Sequence, residues 1–502
     1  FVHFDMIKLI NNAFNYNSSL AIISKNKKYT YKDLLNSSEK IAHNLLNGKT
    51  DLKEARVAFI VDPGYEYTCI QWGIWRAGGI AVPLCVKHPF KSIQYVIEDT
   101  QTSIVIISSA YKKLMAPLRE RKGIHLIHIH KFNDRQGKLP NVVISRRAMI
   151  LYTSGTTGKP KGVVSTHKNI EKQITSLTHS WEWHQDDHIL NVLPLHHVHG
   201  IINVMSCALW SGGCCEFLTK FDPKKIFEIF NRQQVNVFMA VPTIYFKLIA
   251  YYNTLNEKEK NLITNSLKKF RLMVSGSAAL PVSILKQWKK ISGHTLLERY
   301  GMTEIGMAIS NSYRNERKPG YIGLPLNEVM IRIADEQNQS MDLGEKGEIQ
   351  VQGPNVFKEY WGKPESTAAS FTKDGWFKTG DIAIFENGAY RILGRNSVDI
   401  IKSGGYKISA LEIEEVLRTH SAIKECGVVG IPDEEWGEII AASLVINQET
   451  IDFKNIKNWL KEQLPAYKIP KRFIIQEDLP RNVMGKVTKM ELKKIFLTQN
   501  NN

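Results

Sequence analysis

The chain has 502 residues, 43% hydrophobic and 23% charged, with a formal net charge of +17. That composition is ordinary for a soluble globular protein, and the length suits two or more domains, each with a full core. No apolar run reaches the roughly 18 residues of a membrane helix, and no zinc-finger, RNA-recognition or basic-zipper pattern appears, so a membrane span and nucleic-acid binding are set aside.

The first residues, "FVHFDMIKLINNAFNYN", lack the charged-then-apolar form of a signal peptide and do not begin with Met. The expectation is a trimmed chain in the cytoplasm, or in an organelle matrix if a targeting segment was removed. Next, "TYKDLLNSSEKIAHNLL" predicts a helix, and "RVAFIVDP" and "TSIVIIS" predict buried strands. Further on, "VNVFMAVP" and "RLMVSG" repeat the strand pattern, and "PVSILKQWKKISG" the helical one. This alternation predicts α/β architecture with largely parallel sheets. From Val329 the texture shortens, and "VMIRIADEQNQSMDLGEKGEIQVQG" predicts a small antiparallel, barrel-like piece. After "YRILGR" a compact α+β segment follows, with no repeats and no low-complexity tract before "TQNNN". Lysine-rich stretches such as "NEKEKNLITNSLKKF" and "YKKLMAPLRERKG" are broken by acids and apolar residues, as on solvated helix faces. Six cysteines without a C-x-x-C pair fit free thiols in a reducing compartment.

One stretch cannot be packing structure. In "LYTSGTTGKPKGVVSTH" the seven residues Thr153, Ser154, Gly155, Thr156, Thr157, Gly158 and Lys159 offer hydroxyls, backbone N–H groups and a cation, and Lys161 adds another. The run follows the strand-like "AMILY" and makes a natural phosphate cradle. A Walker A loop is rejected: only two residues separate Gly155 from Gly158, and Lys159 precedes Pro160, which has no N–H to donate. A flexible surface linker is the bland alternative, and a phosphate loop of another type fits better.

Four further islands stand out. "LLERYGMTEIG" sets Arg299, Tyr300, Thr303 and Glu304 close together after a helix. "WFKTGDIAIFENGAYRILGR" reads as placing Asp381 in a tight Gly-flanked turn and Arg395 at a strand end. "VDIIKSGGYKISALEIEEVL" has Gly404 and Gly405 before an amphipathic helix, and "LPRNVMGKVTKMEL" puts Lys486 after a glycine on a polar loop. Each alone is also compatible with a turn bearing a solvated charge.

In this order and spacing the five motifs resemble the adenylate-forming superfamily of acyl-CoA synthetases, peptide-synthetase adenylation domains and beetle luciferases, from about Lys28 to Lys494. The resemblance implies a large N-terminal domain of parallel-sheet α/β subdomains with a small β-barrel-like part, residues 1–395. It also implies a small mobile α+β C-terminal domain, residues 396–502. A carboxylate first attacks the α-phosphate of ATP to give an acyl-adenylate and pyrophosphate; a thiol, usually coenzyme A, then displaces AMP. Thr153 to Lys161 would hold the β- and γ-phosphates, and Glu304 with Thr153 would hold Mg²⁺. Ser277, Gly301 and Thr303 join the ATP site, Tyr300 stacks on adenine, and Asp381 accepts from the ribose hydroxyls with Arg395 nearby. Lys486 reaches the α-phosphate and must then leave, hence its place on the mobile domain. Ser403, Gly404, Gly405 and Tyr406 would meet coenzyme A. The resemblance implies a monomer or small homo-oligomer acting on a small carboxylate.

The stretch "GRNSVDIIKSGG" is one residue longer than in many relatives, which leaves the hinge between Asn396 and Val398. Together with "LPLHHVHG", "SGSAALP" and "ERYGMTE", this longer form looks like malonyl-CoA synthetases. His197 then occupies the position that gates the acyl tunnel, and His199, Arg299, Met302 and Lys247 of "VPTIYFKLIA" would line the acyl pocket. The H-x-H spacing is weak as a metal site without a nearby carboxylate. A buried cation makes no sense beside a fatty acid, but a second substrate carboxylate would pair with it. The bland reading is that Arg299 pairs with Glu298 or another surface acid. Two rival readings are a stand-alone adenylation domain loading a separate carrier protein and a non-catalytic sensor, the latter opposed by intact Lys161, Glu304, Asp381 and Lys486.

Overall fold

The computed structural model describes residues 7–153, 159–396, 398–403, 406–433, 435–447, 450–482 and 485–498. The apolar runs fold, as expected, into strands buried on both faces. A nine-stranded sheet has a parallel centre made of Leu20–Ser24, Cys214–Phe217, His188–Asn191, Val237–Ala240, Leu272–Ser275 and Leu297–Met302. Its edges turn antiparallel, through Lys27–Thr30 on one side and Gly306–Ser310 on the other. A seven-stranded sheet is parallel across Arg147–Thr153, Ile80–Pro83, Arg56–Ile60, Ile104–Ile107 and His125–His128.

Helix Tyr31–Leu46 starts at a capping box in which Thr30 and Asp33 satisfy one another's backbone N–H groups. Helix Tyr65–Arg76 is buried from Tyr67 to Arg76. Its Ile70, Trp72 and Trp75 share one core with Ile22 and Phe217 of the first sheet and Phe59 and Met149 of the second. Each large side chain so buried contributes about 1.5–3 kcal/mol, so this core fixes the two sheets against each other. The carboxyl ends of the parallel strands are where such sheets present ligand-binding residues.

The small antiparallel piece is a four-stranded sheet of Met330–Ala334, Lys346–Gln352, Phe377–Glu386 and Ala389–Arg395. One expectation is corrected here: Asp381 lies within the strand Phe377–Glu386, opposite Arg395, and not in a turn. Gly380, at φ 74°, and a bulge between Ile382 and Ala383 bend that strand locally, which gives the sequence its turn-like look.

The chain passes from this sheet to another between Arg395 and Ile400. The C-terminal sheet pairs Ile423–Asp433 with Gly437–Ile446, adds Arg472–Ile475 in parallel, and carries the hairpin Ile400–Ser403 and Tyr406–Ser409. Helices Ala410–Leu417 and Phe453–Gln463 cover it with a separate core that includes Ile413, Leu417, Val428, Leu444 and Leu460. All six cysteines are buried and free. Among the described residues no helix is long and apolar enough to cross a membrane.

Candidate active site

The phosphate-loop candidate joins two strands of a hairpin. Arg147–Thr153 pairs antiparallel with Lys161–Thr166, and Thr153 stands opposite Lys161. Ser154, Gly155, Thr156, Thr157 and Gly158 lie outside the described residues. The flanks are described: Lys159 is exposed, and Lys161 places its ammonium 4.9 Å from the ring centre of Tyr360. Tyr360 Oη in turn donates to Glu304 Oε1 at 2.9 Å. Lys161 is therefore linked to Glu304 through a tyrosine that carries no motif in "FKEYWGK" and that sequence reasoning missed.

Strand Leu297–Met302 ends the parallel run and turns back into Gly306–Ser310, which puts Thr303 and Glu304 in the connecting turn. Glu304 is buried, and burial raises its carboxyl pKa, with the Tyr360 hydrogen bond opposing. No cation stands within ion-pair distance of it among the described residues. A buried carboxylate without a counter-charge suits a hard divalent cation, so the residues present fit Mg²⁺. On the same strand, Tyr300 Oη donates to Asp381 Oδ2 at 2.6 Å. Arg395 Nε lies 3.9 Å from Asp381 Oδ1, and Arg395 Nη2 donates to Thr379 O at 3.0 Å. Burial raises the Asp381 pKa, while the charge of Arg395 pulls it down.

Arg299 is 4% exposed. Strand alternation turns it away from Glu298, whose carboxylate accepts instead from Gly320 N–H at 3.2 Å. The surface ion pair is thus absent, and Arg299 has no carboxylate within ion-pair distance among the described residues. Its Nη2 donates to Ser277 Oγ at 3.3 Å, and its Nε has no partner. Burial alone pushes its pKa down to about 9. At Gly276 a Cβ would come within 2.3 Å of the guanidinium carbon, so any side chain there would displace the Arg299 head group. Ser277, held at a strained φ of 70°, also shares a 3.1 Å hydrogen bond with His199 Nδ1. His199 Nε2 is buried and unpartnered, and burial and the Arg299 charge hold the ring neutral.

His199 opens an eight-residue π-helix, His199–Ser206, a geometry frequent at functional sites and without a sequence signature. His197 is held neutral too, its pKa pushed down to about 3 by burial and then by the nearby charge of Lys486.

Lys486 completes the group. The residue is exposed overall, yet protein atoms crowd its ammonium, and Arg299 and Arg395 add like charge against Asp381, so its pKa falls to about 8. Its turn touches the large lobe where Thr243 Oγ1 donates to Gly485 O at 3.2 Å. The sequence reading missed Thr243 and expected Lys247, one helical turn on. Lys247 is exposed, with its ammonium 5.5 Å from the ring centre of Phe221, and the structure does not bring it into the Arg299 group. Gly301 and Met302 lie half-buried on the Tyr300 strand. Ser403 is buried, while Tyr406 is 53% exposed and stacks on Tyr467; Gly404 and Gly405 lie outside the described residues.

A glycine- and hydroxyl-rich run flanked by lysines, a buried acid, a Tyr–Asp–Arg group and a buried guanidinium without a carboxylate partner among the described residues are features of a nucleotide-using enzyme. The chain belongs to the AMP-binding enzyme family, matched over residues 10–361, with the AMP-binding enzyme C-terminal domain matched over residues 412–486. It is 42% identical to the mitochondrial malonate–CoA ligase of Homo sapiens, over 96% of this chain and 91% of that protein. It is 38% identical to the malonate–CoA ligase of Arabidopsis thaliana, over 97% and 88%. The crystal structure of ATP-bound MatB from Rhodopseudomonas palustris superposes with a TM-score of 0.90 at 32% identity, covering 98% of this chain and 99% of that one.

Proposed function

We propose that this protein is an ATP-dependent acid–thiol ligase that makes malonyl-CoA from malonate, ATP and coenzyme A through malonyl-adenylate, releasing AMP and pyrophosphate. The observation that carries the substrate is the buried Arg299, whose Nε has no partner. An alkyl tail would leave that charge uncompensated at a cost of several kcal/mol; a second carboxylate removes the cost and pairs with the guanidinium fork. Neutral His199 offers a further polar atom at the same place. Relatives called malonate–CoA ligases, at 42% and 38% identity, support the same substrate.

Attack of a carboxylate on a triphosphate brings like charges together, so catalysis rests on cations and N–H donors. Lys159, Lys161 and the loop from Thr153 to Gly158 would neutralise the β- and γ-phosphates, and Lys486 the α-phosphate. Asp381 accepts from the ribose with Arg395 nearby, Tyr300 flanks the adenine, and Ser277, Gly301 and Thr303 complete the ATP site. Glu304 and Thr153 would hold Mg²⁺, which supplies further neutralisation of phosphate oxygens. His197 gates the acyl pocket that Arg299, His199 and Met302 line.

Residues 1–395 form the nucleotide- and acyl-binding domain and 396–502 the mobile one. After Lys486 withdraws, Ser403, Gly404, Gly405 and Tyr406 receive coenzyme A. The protein works as a monomer or small homo-oligomer, and the mitochondrial relatives favour an organelle matrix over the cytoplasm. Incubation with malonate, ATP, Mg²⁺ and coenzyme A should give malonyl-CoA and AMP in equal amounts; release of ADP, or no consumption of malonate, would contradict the proposal.

A further inference from the structure

Helix Val282–Ser292 of the large lobe begins without a cap of its own, because Pro281 offers no side-chain acceptor. The acceptor comes from the other lobe. Glu415 Oε2 takes the Val282 N–H at 3.1 Å, which sets a carboxylate on the positive end of that helix, where first-turn N–H groups otherwise lack partners. Glu415 stands on helix Ala410–Leu417, anchored in the C-terminal core by Ile413 and Leu417.

The same helix is tied directly to the segment that carries Lys486. The buried Glu414 pairs with Lys489 Nζ, which also lies 3.4 Å from Asp399. Arg481 braces the turn from its other end, donating to Gly485 O at 2.9 Å and pairing with Glu425 at 2.6 Å. The contact of Thr243 with Gly485, a 3.5 Å pair between Arg391 and Glu412 and a hydrogen bond that Ser409 Oγ donates to Leu393 O also cross between the lobes. Glu415 and Lys486 are thus joined through one chain of polar contacts within the C-terminal lobe.

We propose that Glu415 is a positioning residue for adenylate formation: by capping helix Val282–Ser292 it seats the C-terminal lobe so that Lys486 stands among Arg299, Asp381 and Arg395. The proposal rests on the reading of Lys486 as the α-phosphate cation. Withdrawal of Lys486 breaks the cap, so the contact serves the first half-reaction only.

Glu415→Ala should slow ATP–pyrophosphate exchange about two- to thirtyfold, the fold-change a lost helix cap corresponds to. Transfer from a preformed acyl-adenylate to coenzyme A should be unchanged, and Glu415→Gln, which keeps an oxygen acceptor, should recover most of the exchange. Arg418 retains Glu414 as partner in either variant. Equal loss of both half-reactions overturns the proposal. Hydrogen–deuterium exchange gives a readout independent of turnover. In Glu415→Ala the peptide containing Val282 and the one containing Gly485 to Thr488 should both exchange faster. Faster exchange at Val282 alone would reduce Glu415 to a local cap and also overturn it. A wild-type enzyme that adenylates no acid would remove the reading of Lys486, and the exchange pattern would still decide the seating.

Discussion

Glu298 and Arg299 are sequence neighbours with opposite surroundings. Glu298 is buried with one N–H donor, and burial, then that donor and the charge of Glu415, set its pKa at about 8 against a usual 4.5. The folded state thus keeps a proton that the unfolded chain loses, and stability falls as pH rises from about 4.5 towards about 8. Glu298→Gln keeps the acceptor and removes the titration. Its melting temperature should exceed the wild type's above the folded pKa and match it at the acid end of that window; an equal gap at both ends would refute the assignment. The motifs singled out Arg299, Asp381, Arg395 and Lys486 from their order and spacing, and the structure brings these four charges within reach of one another. Lys247 was read from its place after a segment along the pocket wall, and that place does not say which face of the helix a side chain takes; its side chain is exposed beside Phe221. Ser277 was read as a nucleotide contact, and its bridge between Arg299 and His199 depends on a loop, a strand and the π-helix meeting in space.

Among the elements, the strand that leads into the glycine-rich run was legible from the apolar "AMILY", whereas its antiparallel partner Lys161–Thr166 was not read. Thr153 and Lys161 stand opposite each other at the mouth of that hairpin, partly exposed, and Lys161 has only the Tyr360 ring contact among the described residues. Lys161→Ala and Thr153→Ala should weaken ATP use strongly while the apo melting temperature barely moves, because such surface changes usually stay within about 0.5 kcal/mol. A large fall in that temperature would return the loop to a structural role. Two elements escaped the sequence. The strand holding Asp381 looked like a turn because Gly380 and a bulge interrupt its alternation. The π-helix at His199 follows from packing, and no residue pattern distinguishes it from an α-helix over one or two turns.

At the scale of the whole molecule, α/β alternation and the change of texture after Val329 outlined the architecture, while the seating of one lobe on the other required the structure. Lys486 reaches its place only through that seating. Lys486→Ala should nearly abolish adenylate formation yet spare transfer from preformed adenylate to coenzyme A, because the cation has then withdrawn; equal loss in both steps would deny it that role. The most direct test of the account is ATP–pyrophosphate exchange with malonate, methylmalonate, acetate, propionate, butyrate and octanoate, in the wild type and in Arg299→Leu. The wild type should favour malonate over the monocarboxylates, by up to roughly ten-thousandfold as in sites built to pair a polar group, and methylmalonate should rank second. Arg299→Leu should lose malonate and gain activity on butyrate. A wild type that prefers butyrate or octanoate, or a variant with unchanged malonate kinetics, would contradict the dicarboxylate pocket.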